Sequence, residues 1–183
     1  MCIRDSSGVE DWTILRESSY NRDQIYIGDF TGDGISDIAV ITPDKVLYTS
    51  GGVGDFVISE GATFSEFGFL IGDFNGDGKD DIFNGNGEEW RVMYAGIGKW
   101  EFQRKHATLT SLLKVGNFKK PNQTSSDPTS DIFRAFEDRW MVWYGAAGGA
   151  QQLNRVQRLD DYLLGDFNAD GTSEVFRIWR NKG

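Results

Sequence analysis

The sequence predicts an all-β protein, a β-propeller of four-stranded blades with about four blades' worth of chain, most simply a fragment of a larger propeller. Three observations predict it. The 183 residues carry 23 glycines against three prolines, with 14% aromatic residues, a mixture that suits many short strands joined by turns needing positive φ. A motif recurs with a period of 44 residues, within the range that marks solenoids and propellers. Each period holds four short β-branched and aromatic runs punctuated by Gly, Asn or Asp, and none shows the 3.6-residue periodicity of an amphipathic helix.

The repeat is read directly from the residues. Gly28-Asp29-Phe30-Thr31-Gly32-Asp33-Gly34 returns as Gly72-Asp73-Phe74-Asn75-Gly76-Asp77-Gly78 and as Gly165-Asp166-Phe167-Asn168-Ala169-Asp170-Gly171, with a degenerate copy at Gly116-Asn117-Phe118. The leading positions 29, 73, 117 and 166 are spaced by 44, 44 and 49 residues, the excess coming from an insertion after Phe118. A second marker runs in phase: Trp12, Phe56 and Trp100 each stand 17 residues before a leading position, after turns at 8–11, 52–55 and 96–99. Trp90 with Tyr94, and Trp140 with Tyr144, lie nine and thirteen residues after Asp81 and Asp131.

In the second copy the four strands fall at 69–71, 82–84, 90–94 and 100–105. Four strands in 44 residues make a unit that cannot bury both faces alone and stacks on its neighbours. Aromatic residues at fixed places supply that packing, each burying roughly 150–250 Å². The other common propeller repeat of this length needs Gly-His and Trp-Asp pairs; this chain has one histidine, His106, placed in a strand, and no such pair. On this count the chain holds the end of one blade, three complete blades and the opening of another.

The nonapeptides after each first strand carry the chemistry. In the second copy Asp73, Asn75 and Asp77 alternate with small residues, Gly78 stands sixth, Lys79 seventh and Asp81 ninth. Side-chain oxygens at places 1, 3, 5 and 9 and a carbonyl at place 7 can converge on one hard cation, with the sixth glycine permitting the sharp turn. Calcium suits such a flexible oxygen cage better than magnesium. The first copy offers Asp29, Thr31, Asp33, Ile35 and Asp37, and the last offers Asp166, Asn168, Asp170, Thr172 and Glu174. An EF-hand is excluded, because place 12 is Val40, Asn84 or Arg177 instead of Glu. In the third copy Asn117 begins the loop, Lys119 and Lys120 occupy its middle and 121–130 intervenes before Asp131, so no metal is expected there. Ten of the 28 acidic residues fall in the three intact loops, where mutual repulsion calls for a cation. The competing reading, plain Asx turns, explains one Asp per loop and not the alternation.

Bulk properties narrow the partners. A net charge of −9 without a Lys/Arg cluster disfavours nucleic acid. No apolar run of eighteen residues exists, so no membrane insertion is expected. Residues 1–6 read as a translated sequencing adapter, a non-native leader that carries the only cysteine, Cys2; any natural targeting signal would then be missing. Residues 119–130, with their Asn122-Gln123-Thr124 sequon, read as a solvated loop.

The Gly-Asp-Phe-Asn-Gly-Asp-Gly string at 72–78, followed by Asp80, Asp81 and Ile82, resembles the FG-GAP and VCBS repeats related to the propeller of integrin α subunits, over residues 8 to 183. The resemblance implies calcium at the loop positions, in up to three sites, and propellers most often of seven blades. Thr31 at place 3, Ala169 for glycine and the lost third loop depart from the pattern. It further implies an extracellular, cell-surface or periplasmic module for adhesion, protein or glycan binding, or scaffolding, attached to other domains of the same polypeptide. The alternative is a non-catalytic spacer or a carbohydrate-binding part of a larger secreted enzyme or toxin. Trp90, Tyr94, Trp140, Trp143 and Tyr144 could stack on sugar rings or anchor a protein, although packing between blades accounts for them more simply. Catalysis in this segment is not expected, since there is no nucleophile elbow and no Ser/His/Asp or Cys/His constellation.

Overall fold

The computed structural model describes residues 2–3, 13–14, 17–59, 68–120, 128–154 and 162–177. Trp12, the first turn at 8–11, the sequon and most of the inserted loop lie outside the described residues. The remainder is all-β, with four three-residue 3-10 turns as its helical content among the described residues.

The strands follow one another as antiparallel neighbours. β1 (Cys2–Ile3) pairs with β2 (Thr13–Ile14). β3 (Ile25–Gly28), β4 (Asp37–Ile41), β5 (Val46–Thr49) and β6 (Val57–Ser59) form the first four-stranded sheet. β7 (Leu70–Gly72), β8 (Asp81–Gly85), β9 (Glu89–Met93) and β10 (Glu101–Lys105) form the second. β11 (Lys114–Gly116), β12 (Asp131–Ala135), β13 (Trp140–Trp143) and β14 (Ala150–Asn154) form the third. β15 (Tyr162–Gly165) and β16 (Glu174–Arg177) close the series as a pair. The strands expected in the second copy differ from β7 to β10 by one residue at their ends. Asp81 joins β8 because it pairs with Gly72, and Tyr94 leaves β9 because it opens a 3-10 turn. His106 lies just past β10, not within a strand.

One register recurs. The first hairpin of each sheet ends on Gly28↔Asp37, Gly72↔Asp81 and Gly116↔Asp131, and the last pair ends on Gly165↔Glu174. The glycine opposite the acidic residue is required by the next sheet at Gly28, Gly72 and Gly116. A Cβ on Gly28 would stand 2.6 Å from the Ile71 side chain, and one on Gly72 2.7 Å from the Ser130 hydroxyl. First strands of successive sheets are therefore neighbours: β3 contacts β7, β7 contacts β11, and β11 contacts β15.

The apolar core lies between sheets. Phe30, Ala39, Ile41 and Val46 of the first pack on Ile82 and Met93 of the second. Phe74, Phe83 and Trp90 of the second meet Leu113, Ile132 and Trp143 of the third. Phe118, Phe133 and Val142 of the third are covered by Tyr162, Leu164 and Val175. The periodic Phe thus fills each junction, where burial at roughly 25 cal/mol per Å² drives the stacking.

Candidate functional site

The four nonapeptide loops leave the same end of the sheets, because each joins a first strand to a second strand of identical register. Each intact loop folds on its own side chains. The Asp29 carboxylate accepts from the amides of Gly32, Asp33 and Gly34 at 2.7, 3.2 and 2.8 Å. Asp73 repeats the set with Gly76, Asp77 and Gly78 at 2.6, 3.2 and 2.8 Å, and Asp166 accepts from Asp170 and Gly171 at 3.1 and 2.9 Å. At place 5, Asp33, Asp77 and Asp170 accept from the amides of Ile35, Lys79 and Thr172. The sixth residue turns the chain with positive φ at Gly34, Gly78 and Gly171, at 80°, 82° and 81°.

These amides set the charge state. Partial desolvation pushes the Asp29 carboxyl up, but the amides of Gly34, Gly32 and Asp33 outweigh it and hold the group below its ordinary range. Asp170 is held low first by the Thr172 hydroxyl and amide. The loops are therefore anionic, and each carboxylate oxygen has about two acceptor sites, so Asp29 and Asp73, each taking two amides on one oxygen and one on the other, keep acceptor capacity for a further positive partner.

Place 9 has a different situation. Asp37, Asp81 and Asp131 are fully buried. Asp81 accepts from the Phe74 amide at 2.9 Å with one oxygen and from the Ala95 amide at 2.8 Å with the other. Asp131 does the same with Phe118 at 2.7 Å and Gly145 at 2.8 Å, and Asp37 with Thr31 at 3.0 Å and Gly51 at 2.8 Å. One carboxylate so ties the nonapeptide loop to the turn after the third strand. Burial pushes the Asp81 carboxyl up to about 7, the Ala95 and Phe74 amides oppose it, and Asp77 and Asp73 add to the rise. Sequence reasoning grouped place 9 with the ion ligands. The cross-tie was legible only in part, since Gly51, Ala95 and Gly145 recur in phase without an apolar or acidic signature.

Among the described residues, one loop brings three acidic residues within mutual reach: ligand oxygens of Asp166, Asp170 and Glu174 lie within 4.8 Å of one another. Glu174 is long enough to accept from the Phe167 amide at 2.8 Å while its other oxygen meets Asn168 Nδ2 at 3.1 Å. In the first two loops, Asp37 and Asp81 turn inward from the side chains at places 1 and 5. Asn75 donates to Asp77 through Nδ2 and accepts from its amide through Oδ1, at 3.2 and 2.9 Å. Thr31 bonds to Asp29 at 3.5 Å. Ile35 and Lys79 occupy place 7, where the backbone carbonyl is the available donor.

A clasp between loops was missed by sequence reasoning. The amide at place 8 donates to the place 1 carbonyl of the preceding sheet: Asp80 to Asp29 at 2.7 Å, Ser130 to Asp73 at 2.6 Å, and Ser173 to Asn117 at 2.5 Å. The place 8 side chain returns the bond, with Asp80 Oδ2 accepting from the Asp29 amide at 2.7 Å and Ser173 Oγ from the Asn117 amide at 2.9 Å. Ser36, Asp80, Ser130 and Ser173 are small and polar in all four copies, and this was the available signal. In the third loop Lys119 stands near enough to Asp170 of the following loop to lower its carboxyl.

The aromatic candidates divide. Trp90 is 0% exposed and Trp143 is buried, so neither ring has a face for a sugar or a partner. They pack edge to face at 5.0 Å with His106 against both, and Trp90 Nε1 donates to the Thr108 carbonyl at 3.2 Å. Tyr94, Trp140 and Tyr144 are half-buried; Tyr94 receives a bond from Gln103 and Tyr144 donates to Gln151. A surface hollow lies elsewhere, lined by Ser18, Tyr20, Arg22, Ile25 and Ile27. No helix among the described residues is long and apolar enough to cross a membrane.

No family model matches the chain, and no curated protein matches it.

Proposed function

We propose that the chain is a calcium-binding β-propeller segment of the FG-GAP and VCBS type, serving as an extracellular module for protein or glycan binding or for scaffolding. The observation that carries the reading is the threefold recurrence of one loop fold. Places 1 and 5 are anionic oxygen donors fixed by backbone amides, with place 3 beside place 5 in Asn75 and Asn168. A prearranged set of hard oxygens, held in place by backbone amides, fits calcium. The last loop, with Asp166, Asp170 and Glu174 together, is the best prepared, and the first and second follow. Sequential stacking of four-stranded sheets through their first strands supports radial blades. The millimolar to submillimolar calcium affinity of extracellular modules is what makes a location outside the cytosol part of this proposal.

At tenfold excess over Kd each site stabilises the fold by about 1.4 kcal/mol. Calorimetric titration with calcium should show saturable binding, and EDTA should lower Tm with recovery on adding calcium. Asp77→Ala and Asp170→Ala should each remove one site. Absence of binding heat together with an unchanged melt would refute the calcium reading.

A further inference from the structure

The junction between the second and third sheets gathers three basic side chains with no acid among them. Arg104 stands on β10 opposite Trp90, His106 follows that strand, and Arg134 stands on β12 of the next sheet. The His106 ring lies 4.3 Å from the Trp90 ring and 5.2 Å from the Trp143 ring, and the Arg104 guanidinium lies 5.6 Å from Trp90. Arg104 Nη2 donates to the Ala147 and Gly148 carbonyls, and Arg134 Nη1 donates to the hydroxyl of Thr108, two residues beyond His106. All three side chains are half-buried. Burial first, and then both guanidiniums, disfavour a proton on the imidazole.

Two nitrogens of this group have no use inside the protein. Arg104 Nε and His106 Nδ1 are enclosed and bond to nothing, although an enclosed polar atom without a partner is costly and uncommon. The positive charge is unanswered as well. Among the described residues the ion pairs join Arg91 to Glu89 and Arg139 to Asp138, and neither includes Arg104, His106 or Arg134. A chain with 28 acidic residues and a net charge of −9 had carboxylates to spare for this place. The trio is also no part of the repeat. The corresponding positions are Glu60, Ala62 and Asn84 at the first junction, and Asn154, Val156 and Arg177 at the last.

We propose that this junction is a binding site for an oxyanion, a carboxylate or sulfate group held by Arg104, Arg134 and His106. A bound oxyanion supplies the acceptor that Arg104 Nε lacks and the countercharge that both guanidiniums lack. It also gives His106 Nδ1 a partner to which a protonated ring can donate. Guanidinium forks match the planar oxygens of such groups, and partial burial strengthens each contact over its worth in open water. The site stands apart from the acidic loops and does not depend on the calcium reading.

His106 is the one histidine of the chain, so its ring signals in an NMR spectrum report the site directly. The full chain is titrated with acetate and, separately, with sulfate, at constant ionic strength held by chloride. The expected result is a saturable shift of the ring signals with a Kd of about 1–10 mM and a raised pH midpoint, because a bound anion favours the imidazolium. Saturation by acetate alone assigns a carboxylate ligand, and saturation by sulfate alone a sulfate. Arg104→Gln and Arg134→Gln, each checked for an unchanged amide spectrum, should weaken binding tenfold or more, as loss of a charge-assisted bond does. Arg134→Lys, which keeps the charge and loses the fork, should fall between wild type and Arg134→Gln. Arg91→Gln, at an exposed position already paired with Glu89, should leave the affinity unchanged. A ring that shows no saturable shift with either anion up to roughly 100 mM, far above that Kd range, would overturn the proposal. So would a shift of equal size and midpoint in both Gln variants.

Discussion

Replacing Asp131 by Ala isolates the cross-tie from any question of metal, because its loop has Asn117 at place 1 and Pro121 at place 5 where the intact loops carry Asp. The side chain is fully buried, and its two oxygens accept from the amides of Phe118 and Gly145 at 2.7 and 2.8 Å. Removing it strands two buried N–H groups, each costing about 1–3 kcal/mol, so the expected loss is about 2–6 kcal/mol. Asp131→Asn keeps one acceptor oxygen and turns an amide N–H₂ toward the second donor, so about half the loss should remain. Urea unfolding followed by tryptophan fluorescence reads this as a lower midpoint at constant m, and hydrogen exchange at Phe118 and Gly145 should accelerate selectively. The loss should be the same in calcium and in EDTA. A change below about 1 kcal/mol, or a loss that vanishes in EDTA, would refute the assignment of place 9 to the fold.

Ala169 holds φ of 60° where the equivalent residues are Gly32 and Gly76 at 77° and 80°; Ala169→Gly should stabilise by about 1 kcal/mol in thermal unfolding, since left-handed backbone costs a Cβ-bearing residue about that much. Trp90→Ala removes a ring packed on Phe83, His106 and Trp143 and should cost about 3–5 kcal/mol by urea unfolding, as large-to-small core changes do. Burial, then Arg104 and Arg134, push the His106 imidazole below its ordinary 6.5. The folded state thus favours the neutral ring, the stability it contributes is complete above 6.5, and it is lost as pH falls through the lower folded value. An NMR titration of the His106 ring, paired with Tm between pH 7 and 5, should show the depressed midpoint and a decline that His106→Phe lessens.

Much of the fold was legible because period and pattern agree. The second-copy strands are placed within a residue, since Gly72 and Asp81 that bracket the loop also close its hairpin. The sixth glycines were legible as well, because only a positive φ explains Gly34, Gly78 and Gly171 at one place. The aromatic candidates were legible in part: packing was the simpler reading and holds for Trp90 and Trp143, but nothing in the sequence separated them from Tyr94, Trp140 and Tyr144. A Trp at a fixed interval looks alike whether it faces solvent or a neighbouring sheet, and burial of Trp90 is decided by Trp143, 53 positions away, which no local spacing announces. The inter-loop clasp failed for the same reason: Ser and Asp at place 8 serve a carbonyl in the previous repeat, 51 residues back for Asp80. Local periodicity reports what a residue is near in sequence, and junctions are made of residues that are not.

The nonapeptide contains two devices with separable duties, which explains how the third copy lost its acids without losing its sheet. Asp131 keeps both amide bonds although places 3 and 5 have become lysine and inserted chain, so β11, β12 and β13 hold the same register as their counterparts. The acids at places 1 and 5 are free to vary because their amide partners lie within the loop itself, whereas Asp37, Asp81 and Asp131 at place 9 bond across to another turn. A loop so divided can lose its cation donors by drift and still stack, and Lys119 beside Asp170 then gives the next loop a positive neighbour. Replacing Lys119 by Asp would therefore be expected to raise the Asp170 carboxyl, not to rebuild a site, since the donors at places 1 and 5 would still be lacking.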